Sequence, residues 1–113
     1  MSVTAESAEY RPEKPEIPKG WSPNFSEFII EPENPEKYLS EGLNCYMCGS
    51  PMSFINWDNG NTLVGDDEHT VFLVLRGVPR FRCEPCDLET DHFEAFNEVD
   101  RKALVILKEL GVR

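Results

Sequence analysis

Positive charge is scarce in this sequence. Lys and Arg number 11 against 21 Asp and Glu over 113 residues, a formal net charge of −10. A duplex nucleic acid is a dense line of phosphates whose binding needs clustered basic side chains, so duplex DNA is not expected as the main partner. The field instead favours the approach of a protein with a basic surface. Long hydrophobic runs are missing too. The longest runs, such as Ala103 to Leu107, are far short of the roughly 20 residues that span a bilayer. No apolar stretch follows a basic start within Met1 to Lys19, so neither a secretory signal nor a membrane anchor is expected, and the expected compartment is the cytoplasm.

The recognisable motifs of catalysis are also absent. There is no nucleophile motif, no glycine-rich phosphate loop and no carboxylate pair with a site around it. Histidine occurs twice, as His69 in a polar loop and His92 in the first turn of an expected helix, and both are read as solvent-facing. Asp66, Asp67 and Glu68 lack calcium-loop spacing and read as a solvated loop. No enzyme is expected.

What the chain does have is cysteine in a pattern. All four cysteines fall in C-x-x-C pairs, Cys45-Tyr46-Met47-Cys48 and Cys83-Glu84-Pro85-Cys86. Two residues between ligands let a tight turn aim both sulfurs at one ion, and two such turns facing each other complete a tetrahedral four-thiolate site. Cys45, Cys48, Cys83 and Cys86 are therefore expected to hold one structural Zn2+. Disulfides are rare in the cytoplasm, and no βαβ setting is visible for a redox pair; iron in the same thiolates is the lesser alternative. Gly49, directly after the first pair, accepts the positive φ that such a turn needs, and Asp87 stands at the matching place after the second.

The rest of the chain is organised around these pairs, and its length fits one domain. Residues 1–22, rich in Glu and with Pro12, Pro15 and Pro18 at close intervals, are expected to be a disordered arm. Residues 23–43 are expected to strap onto the ribbon, with a short helix near Asn24 to Ile30 because Phe25, Phe28 and Ile29 share a helical face. Residues 44–113 are expected to form the zinc-ribbon domain with the C-terminal helix. Within it, strands are expected at Met52–Trp57 and Val71–Arg76, a turn at Asp58-Asn59-Gly60-Asn61 and a loop from Gly65 to His69. A helix follows from about Asp91, with a capping box to Glu94, to a stop at Gly111, or as a pair with the second helix starting at Asn97. Phe93, Phe96, Ala103, Leu107 and Leu110 are expected on its buried face, with Val99 beside it. The expected class is α+β: a small zinc-ribbon-like antiparallel sheet with two C-x-x-C knuckles, then a helix or helix pair.

Two partner-binding readings follow. One is a protein-binding module, with Phe25 and Phe28 as docking residues of the strap. The other is a nucleic-acid-associated zinc ribbon acting in transcription or RNA metabolism. It rests on Arg76, Arg80 and Arg82 near Phe81, where strand alternation puts Arg80 and Arg82 on one face and Phe81, read as core, on the other.

The stretch from Cys45 to Phe93 resembles the YgiT-type zinc finger. The shared pattern is C-x-x-C-G at Cys45 to Gly49, a β-hairpin insertion, Gly77-Val78-Pro79, and the second C-x-x-C leading into a helix. This is the zinc domain of the antitoxin that partners the motility quorum-sensing regulator toxin, and YokU-like proteins are its small stand-alone relatives. The resemblance implies a structural zinc on the four cysteines and a role in holding a toxin protein, an mRNA-cleaving enzyme.

Overall fold

A computed structural model describes residues 10–112. One long strand organises them. The elements run β1 (Phe25–Ile30), α1 (Pro35–Glu41), β2 (Ser53–Gly65), β3 (Thr70–Cys83), β4 (Leu88–Asp91) and α2 (Phe93–Leu110). β2 lies antiparallel to β3 along nearly its whole length, from Ser53 opposite Arg82 to Gly65 opposite Thr70. The other edge of β3 is divided: β1 pairs with it in parallel over Thr70 to Leu75, and β4 pairs antiparallel over Arg80 to Cys83. The class is α+β, a four-stranded, mostly antiparallel sheet followed by a single C-terminal helix.

β3 carries this role because it is apolar on both faces. Val71, Phe72, Leu73 and Val74 are all buried, the pattern of a strand covered on both sides rather than one. On one face Val71 and Leu73 meet Ile30, Ala95 and Val99, with Ala103, Ile106 and Leu110 packed against them. On the other face Phe72 lies near Phe25, with ring centroids 6.4 Å apart, and Lys14 sits 4.3 Å over the Phe25 ring. Tyr10 joins this face twice: its hydroxyl accepts from Asn61 Nδ2 at 2.9 Å and its carbonyl accepts from Arg76 Nη1 at 3.3 Å. Residues 10–22 form no helix or strand, yet these contacts lay them over the sheet. Residues 1–9 of the expected arm lie outside the described residues.

Three local expectations are corrected. Phe25 to Ile30 is a strand, not a helix: its apparent helical face is equally an alternation, with Phe28 and Ile30 facing the core on the α2 side and Phe25 facing Phe72. Pairing with β3, with Phe25 opposite Thr70, 45 residues further along the chain, decides between the two, and no local signal reveals it. The helix in this region comes later, at α1, which opens on Pro35 where a missing N–H costs nothing. Second, Asp58 to Asn61 is not a turn. β2 runs through it with a register shift between Asp58 and Gly60, and Asn59 Oδ1 accepts from Gly77 N at 3.3 Å, so the turn-forming residues make a β-bulge. The chain reverses instead at Asp66 to His69, where Asp66 Oδ1 accepts from the backbone N–H of Glu68 and His69. Third, Phe93 and Phe96 point to water, and the buried face of α2 is centred on Ala95 and Val99.

The ends of α2 are sealed by specific groups. The N-cap is His92, whose Nδ1 accepts from Ala95 N at 3.3 Å, rather than Asp91. At the C-terminus Gly111 adopts φ 73°, its N–H reaches Lys108 O, and Val112 N–H reaches Leu107 O at 3.0 Å. This doubly bonded left-handed cap tucks Val112 into the core.

Candidate metal site

The two C-x-x-C segments approach from different parts of the fold. Cys83 ends β3, and Cys86 lies in the turn that leads to β4, closed by the pairing of Cys83 with Leu88. Cys45 and Cys48 sit in a loop pinned by the bridge between Asn44 and Pro51 and by Cys45 N–H donating to Ser50 O at 2.8 Å. In each turn the residue after the second cysteine adopts a positive φ. Gly49 N–H bonds Cys45 O at 2.7 Å with Gly49 at φ 79°, and Asp87 N–H bonds Glu84 O at 3.3 Å with Asp87 at φ 52°. Asp87 is the one non-glycine residue with positive φ among those described, at the position where the sequence places it opposite Gly49 in role. Aspartate is among the residues that tolerate this conformation.

The four sulfurs converge. Cys45, Cys48, Cys83 and Cys86 Sγ all lie within 4.8 Å of one another, and Cys48 and Cys83 Sγ are 3.6 Å apart. Cys45 and Cys83 are buried and Cys48 and Cys86 exposed, so the cluster is anchored on one side and open to water on the other. Met47 N–H points at Cys45 Sγ at 3.4 Å, as expected of a turn built to stabilise thiolate. Beneath the sulfurs Met52 and Phe81 are buried, with Leu39, Leu43, Phe54 and Leu88 packed around them. The tetrad can hold one metal ion.

Proton sharing in the cluster is uneven. Hydrogen bonds from Ser50 hold the Cys48 thiol down at about 6. Hydrogen bonding with Cys48, then burial, pushes Cys86 up to about 12, and burial raises Cys83. Ser50 thus favours one thiolate beside thiols that a metal would have to deprotonate.

The other residues singled out by the sequence disperse. Arg80 and Arg82 share a face of β3, and Phe81 is buried on the other, as alternation requires. Both arginines are met by acids: Arg80 reaches Glu89 at 3.5 Å, and Arg82 reaches Glu84, Asp87 and Glu89. Arg76 is buried away from them, with Nε 2.7 Å from Glu31 Oε2. Phe25 and Phe28 are half-buried on opposite faces of β1. His69 is half-buried in the β2–β3 turn. His92 is buried rather than solvent-facing, its ring tilted against Tyr38 with centroids 4.8 Å apart and its Nε2 3.6 Å from Glu41 Oε1. Because its Nδ1 accepts from Ala95, the neutral ring carries its proton on Nε2, toward Glu41.

Sequence reasoning missed a clamp between α1 and α2. Tyr38 Oη donates to Glu98 Oε1 at 2.6 Å, Glu33 N–H donates to Glu98 Oε2 at 2.8 Å, and Lys102 Nζ donates to Glu31 O at 2.8 Å. The bond to Glu98 pushes Tyr38 up to about 12. The spacing of Glu98 and Lys102 on one helix face was the available signal, but its partners lie about 60 residues back in the chain. Also missed was the pair Asp58 and Asp91, where burial and then the Asp58 carboxyl raise Asp91 to about 6.

No family model, curated protein or solved structure matches this chain. No helix among the described residues is long and apolar enough to cross a membrane.

Proposed function

We propose that this protein is a non-enzymatic zinc-ribbon module that binds a protein partner. The observation that carries the reading is the sulfur cluster, whose four cysteines come from two turns, each followed by a residue of positive φ. A tetrahedral ion with Zn–S bonds near 2.3 Å needs S···S edges of about 3.8 Å. The 3.6 Å separation of Cys48 and Cys83, and the 4.8 Å limit on all the others, fit such an ion with small adjustments. Four thiolates suit zinc and leave no position for a substrate or an activated water, so the metal acts as a staple between the Cys45 loop and the β3–β4 turn.

A protein partner is favoured over nucleic acid by the charges. Residues 83–113 carry eight acids against four bases and residues 1–43 nine against four. The arginines that suggested phosphate binding are already engaged by Glu84, Asp87 and Glu89. The resemblance to the YgiT-type finger supports a narrower form of the same reading, an antitoxin-like protein that neutralises a basic toxin. The test is a native pull-down from the source cells at low and high salt, beside anisotropy titrations with duplex DNA and single-stranded RNA. A salt-sensitive protein partner supports the module, and a ribonuclease as that partner supports the antitoxin form. Micromolar nucleic-acid binding that disappears in Arg80→Ser/Arg82→Ser would replace it with the nucleic-acid reading.

A further inference from the structure

Phe93 stands between two grooves with an uncommon combination of surfaces. Tyr46 is 64 % exposed, Met47 69 %, Phe93 47 % and Phe96 51 %. Tyr46 and Met47 are the two residues inside the first C-x-x-C pair, while Phe93 and Phe96 begin α2, and the Tyr46 and Phe93 rings lie 6.5 Å apart. Large apolar side chains scattered singly on a surface need no explanation, but neighbours drawn from separate elements form a patch. One groove beside Phe93, of about 270 Å³, has Glu41 and Glu94 in its walls along with Leu43 and His92. The other, of about 300 Å³, has Asp91 along with Phe96 and Asn97. No Lys or Arg lines either groove, and Lys37 Nζ stands 4.0 Å from Glu41 Oε2 at the edge of one.

We propose that this patch docks a segment of a protein partner that presents one large apolar side chain flanked by Lys or Arg. The inference rests on the module reading and names its contact surface. The apolar side chain lies against Phe93 and Tyr46, and the basic side chains reach the carboxylates of Glu41 and Glu94 on one side and Asp91 on the other. Charge selects this occupant. A second copy of this chain, at a net charge of −10, would bring acid onto acid, and a phosphate backbone would be repelled in the same way. The position beside the sulfur cluster matters physically. Tyr46 and Met47 are held out by a turn whose ends are the ligands Cys45 and Cys48, so a metal that fixes the turn also fixes half of the patch, lowering the ordering cost of binding.

The experiment pans a phage-displayed random peptide library against the zinc-loaded full chain, with Phe93→Ser and Glu41→Gln/Glu94→Gln proteins in parallel. These side chains are exposed or half-exposed, and unchanged melting curves verify that the folds are intact. Enriched peptides are expected to share an apolar residue with neighbouring Lys or Arg and to bind more weakly as salt rises. They should lose about tenfold in affinity to each variant, as truncation of a central anchor does. No enrichment, an acidic or uncharged consensus, or equal binding to wild type and Phe93→Ser would overturn the proposal. So would a dimer in sedimentation that Phe93→Ser dissolves, since the occupant would then be a second copy. The pull-down separates the two readings. A native partner that still binds Phe93→Ser places the contact elsewhere and leaves the module reading standing, whereas no partner at all removes the module reading itself.

Discussion

Replacing Gly77 by Ala should cost far more than a glycine-to-alanine change in open surroundings. Gly77 sits at φ 86° in the middle of β3, opposite the bulge at Asn59. An added Cβ would lie 3.0 Å from Pro32 Cδ and 3.2 Å from Pro35 Cγ, inside ordinary contact distance. The backbone strain of a positive φ is about 1–2 kcal/mol. Overpacking against two rigid proline rings adds about 1–3 kcal/mol. The expected loss is therefore about 2–5 kcal/mol. Gly111→Ala is the control: Gly111 has φ 73° but nothing within 4 Å of its would-be Cβ, so only the strain applies, at about 1–2 kcal/mol. Urea denaturation of both variants, with zinc held saturating, reads the difference. With a slope of about 2 kcal/mol/M, Gly77→Ala should move the midpoint down by about 1–2.5 M. Pro32→Ala removes the Cδ atom and should recover part of the loss in the double variant. If Gly77→Ala costs no more than Gly111→Ala, or Pro32→Ala recovers nothing, the packing of the β1–α1 connection onto β3 is wrong.

Three further outcomes are expected. Burial holds His92 below its ordinary 6.5, although Glu41 and Glu94 pull the other way; the stability it contributes is present above pH 6.5 and is lost as pH falls through the folded value, because protonation removes the acceptor that caps α2. His92→Asn, which keeps a cap acceptor without titrating, should flatten that loss in thermal melts between pH 7 and 5. Asp91, raised from 3.8 to about 6, binds its proton more tightly when folded, so its contribution is present below pH 3.8 and lost as pH rises through 6. Asp91→Asn should therefore stabilise the protein at pH 7 by about 1 kcal/mol after allowance for solvent screening, and by nothing measurable once the carboxyl is protonated. Tyr38→Phe should cost about 1 kcal/mol in chemical denaturation through loss of the bond to Glu98, and Tyr38 should ionise only near pH 12 in an ultraviolet titration.

The parts of this fold that sequence revealed are those specified locally. The two C-x-x-C pairs carry their own turn geometry, so the meeting of Cys45, Cys48, Cys83 and Cys86 was legible, as was the left-handed role of Gly49 and Asp87. Gly111 and the burial of Val99 defined the end and one face of α2. What was not legible depends on partners far away in the chain. Phe25 to Ile30 reads equally as helix or strand until β3 is beside it. Asp58-Asn59-Gly60 reads as a turn until Gly77 supplies the N–H that Asn59 accepts. Phe93 and Phe96 fit an apolar helical pattern with Leu107 and Leu110, but Tyr38 and Ile30 fill the core from the Ala95 and Val99 side and leave them outside. His92 was misread as solvent-facing because a first-turn position shows no burial until its ring is known to lie beside Tyr38 and Phe81.

The central claim is that one zinc ion on four cysteines holds the Cys45 loop to the β3–β4 turn. Native mass spectrometry of protein purified without added metal, paired with melting curves before and after a strong chelator, tests it most directly. The account predicts one zinc per chain, a large fall in melting temperature on chelation that restored zinc reverses, and a Cys83→Ser protein that binds the metal weakly and melts early even with zinc present. Protein that carries no metal, or that melts at the same temperature with and without the chelator, would contradict it.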